Sequence, residues 1–155
     1  MKEPIHILVI EGRYYDHLAD ALLVGAEAAL REHDATYEVV SVPGALEIPQ
    51  ILAAAIAEGA FTRDAAKPFN GCLALGCVIR GETSHYDIVA NESARALLTL
   101  ATQHAIPVGN AILTVENEAQ ALARASVNGK NKGREAAEAC LAVVRARREF
   151  AKRRR

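Results

Sequence analysis

The run GCVIRGETSHYDIVAN at residues 76–91 concentrates the chemistry of this chain. Its first half is apolar and Gly81 permits a sharp turn, so it reads as a buried strand, a tight turn and a helix start in succession. The helix is expected to begin near Thr83 or Ser84. Either hydroxyl can cap it, and Asp87, three residues beyond Ser84, makes a short-armed capping box. The N–H groups of Gly81, Glu82 and Thr83 then point above the strand end, where a helix start favours an anion such as phosphate. His85 falls in the first turn, beside that anion. Imidazole titrates near neutrality and can both take and return a proton, which makes His85 the candidate catalytic residue. His6, His17, His33 and His104 lack such a context. A second candidate stretch is residues 42–47, where a Pro-Gly turn exposes backbone and Glu47 sits near a helix start.

The elements that must position these residues alternate regularly. Residues 5–10 are nearly continuous in branched side chains, as suits a central parallel strand, and 11–16 form the first strand-to-helix loop. Leu18, Leu22, Ala26, Ala29 and Leu30 recur at helical spacing, and that helix ends near His33. A strand at 37–42 is broken by Pro43 and Gly44; Ile48, Ile51, Leu52, Ala55 and Ile56 mark a helix that stops at Gly59. Residues 61–70 form a loop into the strand at 71–79. The helix from about Ser84 runs to His104, Pro107 marks a break, and 108–115 gives a fourth strand. A short helix at 116–124, a polar loop at 126–132 and a helix from Gly133 to about Glu149 complete the chain.

The resulting βαβαβαβα order predicts a three-layer α/β/α domain with one four-stranded parallel sheet, helices on both faces and right-handed crossovers. The carboxyl ends of all strands then share one edge, and Tyr14, residues 43–47, 80–85 and 110–117 are expected to gather there as one site.

Composition bounds the possibilities. At 155 residues and 51% apolar content the chain suits one domain with a substantial core. A net charge of −1 with dispersed cations argues against nucleic acid, and the basic residues 152–155 read as a solvated end. Cys72, Cys77 and Cys140 form no CxxC pair and lie in apolar runs, so they read as core thiols of a reduced protein. No apolar run reaches the length of a membrane span and the start lacks a signal-peptide pattern, which predicts a soluble, cytoplasmic protein. No metal-ligand cluster, GxGxxG or P-loop pattern occurs.

EGRYY at 11–15, VPGALEIP at 42–49, the 76–91 run, TVEN at 114–117 and KNKG at 130–133 together resemble the lumazine synthase family of riboflavin biosynthesis, over almost the whole chain. The resemblance implies a flavodoxin-like fold and a transferase that joins 5-amino-6-(ribitylamino)uracil to 3,4-dihydroxy-2-butanone 4-phosphate, releasing phosphate and water. It implies neither cofactor nor metal. Residue by residue, it assigns Tyr14 to stacking on the pyrimidine, and Gly44, Ala45, Leu46 and Glu47 to the ribityl side. Val78, Ile79 and Arg80 read the pyrimidine edge with their backbone groups. Glu82 and Thr83 approach the phosphate, Glu82 by its N–H with its carboxylate turned to solvent. Arg124 matches the phosphate-binding arginine, Lys132 a lysine near it, and Glu135 an acidic position that orients Arg124 or Lys132. Asn110 departs from the pattern, since many members carry there an aromatic ring that reaches the pyrimidine site of the adjacent subunit.

Assembly is likewise implied: a homopentamer with active sites between neighbours, in some members joined into decamers or hollow shells. Only residues 1–4 precede the first strand, which favours a free pentamer. Two other classes fit the pattern less well. A flavin- or lumazine-binding module needs no anion site or proton relay, and a flavodoxin-like regulatory domain needs an acidic cluster after the first strand that this sequence lacks.

Overall fold

The computed structural model describes residues 3–154. Expectations that fall on residues 1, 2 and 155, at the two ends of the chain, lie outside the described residues. The elements follow the order β1 (His6–Gly12), α1 (Asp16–Glu32), β2 (Thr36–Val42), a 3-10 turn (Ala45–Glu47), α2 (Ile48–Ala57), β3 (Gly71–Ile79), α3 (His85–His104), β4 (Val108–Val115), α4 (Glu118–Ala125) and α5 (Lys132–Lys152). The sheet has four strands, all parallel, in the order β2-β1-β3-β4. This is the three-layer, flavodoxin-like arrangement expected from the alternation of strands and helices.

Two-residue periodicity divides the core. On β1, Ile7 and Val9 face one side while Leu8 and Ile10 face the other; on β3, Leu73 and Leu75 are set against Cys72 and Ala74. The first set packs with Leu18, Leu22 and Leu30 of α1 and with Leu141 and Val144 of α5. The second set packs with Ile48 and Leu52 of α2 and Leu97 of α3. Both central strands are therefore covered on each face, which is why their sequences are nearly unbroken apolar runs.

Helix α5 approaches its neighbours more closely than a side chain would permit. A Cβ on Gly133 would lie 2.1 Å from the Leu22 carbonyl oxygen of α1, and one on Gly109 would lie 2.0 Å from the Ala136 carbonyl oxygen of α5. These two glycines allow α1, α5 and β4 to pack backbone against backbone. Among the described residues no helix is long and apolar enough to cross a membrane.

Three local expectations are corrected. Glu11 and Gly12 belong to β1 rather than to the loop, and Glu11 is almost fully buried, because Arg13 folds back to neutralise it. Ser84 does not cap α3 through its side chain, nor does Asp87 complete a capping box; Thr83 Oγ1 accepts the His85 N–H at 3.3 Å, while Asp87 reaches Arg80 at 3.5 Å. Asn110 does not join the rim. It pairs with Ala74, midway along β3 and five residues before β4 ends, so only the last residues of the predicted 110–117 stretch are near the strand ends.

Candidate active site

A cleft of about 560 Å³ opens at the carboxyl ends of the strands. Its floor is the end of β3, where Val78 and Ile79 run past the last pairing with β1 but stay paired with β4, and its walls are three strand-to-helix connections. The first brings Tyr14, which is 76% exposed and whose ring rests edge-on against Tyr15 at a centroid distance of 4.9 Å. The second brings Gly44, Ala45, Leu46 and Glu47. A Cβ on Gly44 would lie 3.4 Å from Glu47 Oε1, so the Glu47 carboxylate leans over the Gly44 backbone toward the cleft. The third brings Gly81, Thr83 and His85.

That third wall has the features of an anion seat. Space is open around Gly81, with nothing within 4 Å of where its Cβ would stand. Residues 81–84 lead into α3, a helix of 20 residues whose N-terminal end attracts negative charge. His85 is the first residue of that helix and its side chain is exposed to the cleft. An aromatic face, a carboxylate, an anion seat and an imidazole thus surround one space. Such an arrangement can hold a flat polar ring and a phosphorylated partner together and move a proton between them.

Several lining residues carry no distinctive motif of their own. Tyr15, Cys77, Tyr86 and Val89 also line the cleft. Tyr86 and Val89 stand one and four residues after His85, so the helical repeat would have found Val89 on the same face. Cys77 is two residues before Ile79 and shares its side of the strand. Burial pushes its thiol up to about 11, so it is neutral and inert at physiological pH. Burial likewise raises the Tyr15 hydroxyl, with further upward effects from Tyr14, Cys77 and Glu118.

Arg80 and Glu82 are exposed and their side chains do not line the cleft. The Arg80 guanidinium lies 4.2 Å from the centroid of the Tyr86 ring and 3.0 Å from Glu116. Its hydrogen bond to Glu116 is the main cause that raises its already high pKa.

The remaining candidates form a second group. Asn110, Arg124, Lys132 and Glu135 line another cavity, of about 340 Å³, between the outer face of β4 and α5, and it shares no residue with the first. Glu135 Oε2 accepts from Lys132 Nζ at 2.9 Å, so the acidic residue is paired with the lysine rather than with Arg124. Arg124 Nη1 donates to the Gln120 carbonyl at 3.1 Å, one helical turn back. The Asn110 side chain turns to its own strand, where Oδ1 accepts the Ile112 N–H at 2.8 Å. Within one chain, the cationic residues and the imidazole therefore belong to separate pockets.

Fold and cleft together define a flavodoxin-like α/β protein with a small-molecule site at the carboxyl edge of its sheet. The chain belongs to the 6,7-dimethyl-8-ribityllumazine synthase family, whose model matches residues 4–148. It is 57% identical over 150 residues to the 6,7-dimethyl-8-ribityllumazine synthase of Azorhizobium caulinodans, covering 94% of this chain and 90% of that one. The protein of the same name from Methylobacterium radiotolerans is 59% identical over 138 residues, covering 89% and 79%. That from Agrobacterium fabrum is 54% identical over 144 residues, covering 93% and 95%.

Proposed function

We propose that this chain is a 6,7-dimethyl-8-ribityllumazine synthase, a transferase acting in riboflavin biosynthesis. It condenses 5-amino-6-(D-ribitylamino)uracil with 3,4-dihydroxy-2-butanone 4-phosphate, releasing phosphate and two waters. The observation that carries this reading is the cleft in which Tyr14, Glu47, Thr83 and His85 surround one space. The pyrimidine stacks on Tyr14 while main-chain groups of Val78, Ile79 and Arg80 take its edge, and Gly44 to Glu47 receive the ribityl chain. The phosphate lies against the N–H groups of Gly81, Glu82 and Thr83.

The chemistry is a sequence of proton transfers. The 5-amino group attacks the ketone and water leaves to give an imine. Loss of a proton from the adjacent carbon expels phosphate, and closure of the second nitrogen onto the remaining carbonyl releases another water. His85 takes and returns these protons, and holding the two reactants together supplies much of the remaining acceleration. No covalent bond to the protein is needed.

The active form is a homopentamer of one-domain chains, and Arg124, Lys132 and Asn110 complete the cleft of an adjacent subunit. Two observations support this. The cationic pocket is separate from the imidazole cleft within a chain. Helix α3 also leaves Ile88 and Leu98 54% and 66% exposed, and α4 leaves Leu122 41% exposed, as an unburied subunit contact would. A cytoplasmic location is favoured by three buried, unpaired thiols.

The test is to mix the protein with both substrates and follow phosphate release together with the appearance of lumazine fluorescence. Equal rates of the two support the reading. Binding of the pyrimidine without turnover would instead make the chain a ligand-binding module.

A further inference from the structure

We propose that Arg13, anchored by the buried Glu11, is a positioning residue that fixes the direction in which Tyr14 presents its ring. This rests on the reading above, in which Tyr14 stacks on the pyrimidine.

Glu11 is 1% exposed at the end of β1, on the same side of the sheet as Ile7 and Val9. Its Oε1 accepts from Arg13 Nη1, and among the described residues its buried Oε2 has no partner. A carboxylate so placed depends on that one guanidinium for its neutralisation. Arg13 in turn reaches forward: Nε donates to Asp16 Oδ1 at 2.9 Å, and Nη2 donates to the Asp16 carbonyl at 3.3 Å and to Asp20. One planar fork therefore ties the last strand residues of β1 to the first two turns of α1. The backbone between the tied ends carries Tyr14 and Tyr15.

The turn is fixed from its other side as well. The Arg13 N–H donates to the Val42 carbonyl at 2.9 Å, and a Cβ on Gly12 would stand 3.0 Å from the Gly44 carbonyl carbon. Tyr14 itself is held by little beyond its edge contact with Tyr15. With most of the ring open, its orientation comes from the backbone that carries it, and a rigid turn lowers the ordering cost of stacking. The clasp thus acts on pyrimidine affinity and leaves proton transfer alone.

The experiment measures KM for each substrate in Tyr14→Ala, Arg13→Ala, Arg13→Lys and the double variant Glu11→Gln/Arg13→Gln, and in each Arg13 variant combined with Tyr14→Ala. The Glu11→Gln/Arg13→Gln pair leaves no buried charge unpaired, so it carries the comparison if Arg13→Ala does not fold. Thermal unfolding and oligomeric state are checked first. Tyr14→Ala and Arg13→Ala are each expected to raise KM for the pyrimidine about tenfold, as loss of one stacked ring does. Arg13→Lys should show partial rescue, and KM for the butanone phosphate should move less than about twofold. In the Tyr14→Ala background the Arg13 changes should add little, because both act through the same ring.

If Tyr14→Ala raises the pyrimidine KM and the folded Arg13 variants do not, the clasp is refuted while the site reading stands. If Tyr14→Ala has no effect, the stacking assignment falls and the clasp with it. Independent multiplication of the two effects, or a joint rise of both KM values, would also overturn it.

Discussion

Two inactive variants should restore each other if His85 and Arg124 serve one site from different chains. His85→Ala removes the imidazole from the cleft at the start of α3, and Arg124→Ala removes a guanidinium from the separate pocket between β4 and α5. Arg124 uses one N–H on the Gln120 carbonyl, which leaves the rest of its fork for a phosphate. Charge-assisted hydrogen bonds contribute about 1.5–3 kcal/mol each, so losing one such contact raises KM for the butanone phosphate about 10- to 150-fold. KM for the pyrimidine should change far less. Loss of His85 lowers kcat about 100-fold, near the lower bound for a general acid–base group, because positioning of the two reactants survives. Now let both chains be co-expressed in equal amounts and assemble at random. Each site draws His85 from one chain and Arg124 from its neighbour, so about one site in four contains neither substitution. At low concentrations of the phosphorylated substrate the mixture should then reach about a quarter of wild-type activity, with each parent at about a tenth or less. Native mass spectrometry verifies the hybrids. Activity equal to the mean of the two parents, in demonstrably mixed oligomers, would refute the shared site.

Other outcomes can be checked with simpler measurements. His85→Ala alone should leave both KM values near wild type while kcat falls; an unchanged kcat would remove His85 from the proton path. Gly133→Ala should lower stability by about 1–3 kcal/mol or more in urea unfolding, since its Cβ would meet the Leu22 carbonyl at 2.1 Å and backbone must move. Alkaline pH should destabilise the fold through its thiols. Burial holds Cys72 well above its ordinary value of 9.0, Cys77 at about 11 and Cys140 at about 12. The unfolded chain therefore releases these protons first, and the stabilisation is complete below pH 9 and lost as pH rises through the folded values. The urea midpoint should fall between about pH 9 and pH 12, and Cys140→Ala should reduce that fall.

The sheet was legible because its central strands are covered on both faces. Residues 71–79 are apolar and sharply bounded by Asn70 and Arg80, the edge strand at 108–115 is bounded by Pro107 and Glu116, and both match their expected limits. Glu11 was misplaced into a loop because a lone carboxylate after an apolar run reads as solvent-exposed. Its neutralising partner, two residues on, becomes visible only when the side chain folds back. The cleft was readable where turn chemistry and helix starts mark it, at residues 43–47 and 81–85. It was not readable at Tyr15, Tyr86 and Val89, whose types serve packing as readily as binding. The separation of Arg124 and Lys132 from His85 within a chain follows from where β4 and α5 stand at the end of the sheet, a matter of strand order rather than of local pattern.

The turn after β3 sets residues that border the cleft beside residues whose side chains do not. Gly81 and Thr83 border the cleft, whereas the Arg80 guanidinium leans on Tyr86 and Glu82 is turned outward. A ligand held there by amide hydrogens is indifferent to what those outward side chains are. Saturation mutagenesis across residues 80–83 would then report tolerance at Arg80 and Glu82 in the middle of the busiest part of the molecule. Occupying a site and being needed by it are separate properties, and a survey of substitutions alone would draw the boundary of this one in the wrong place.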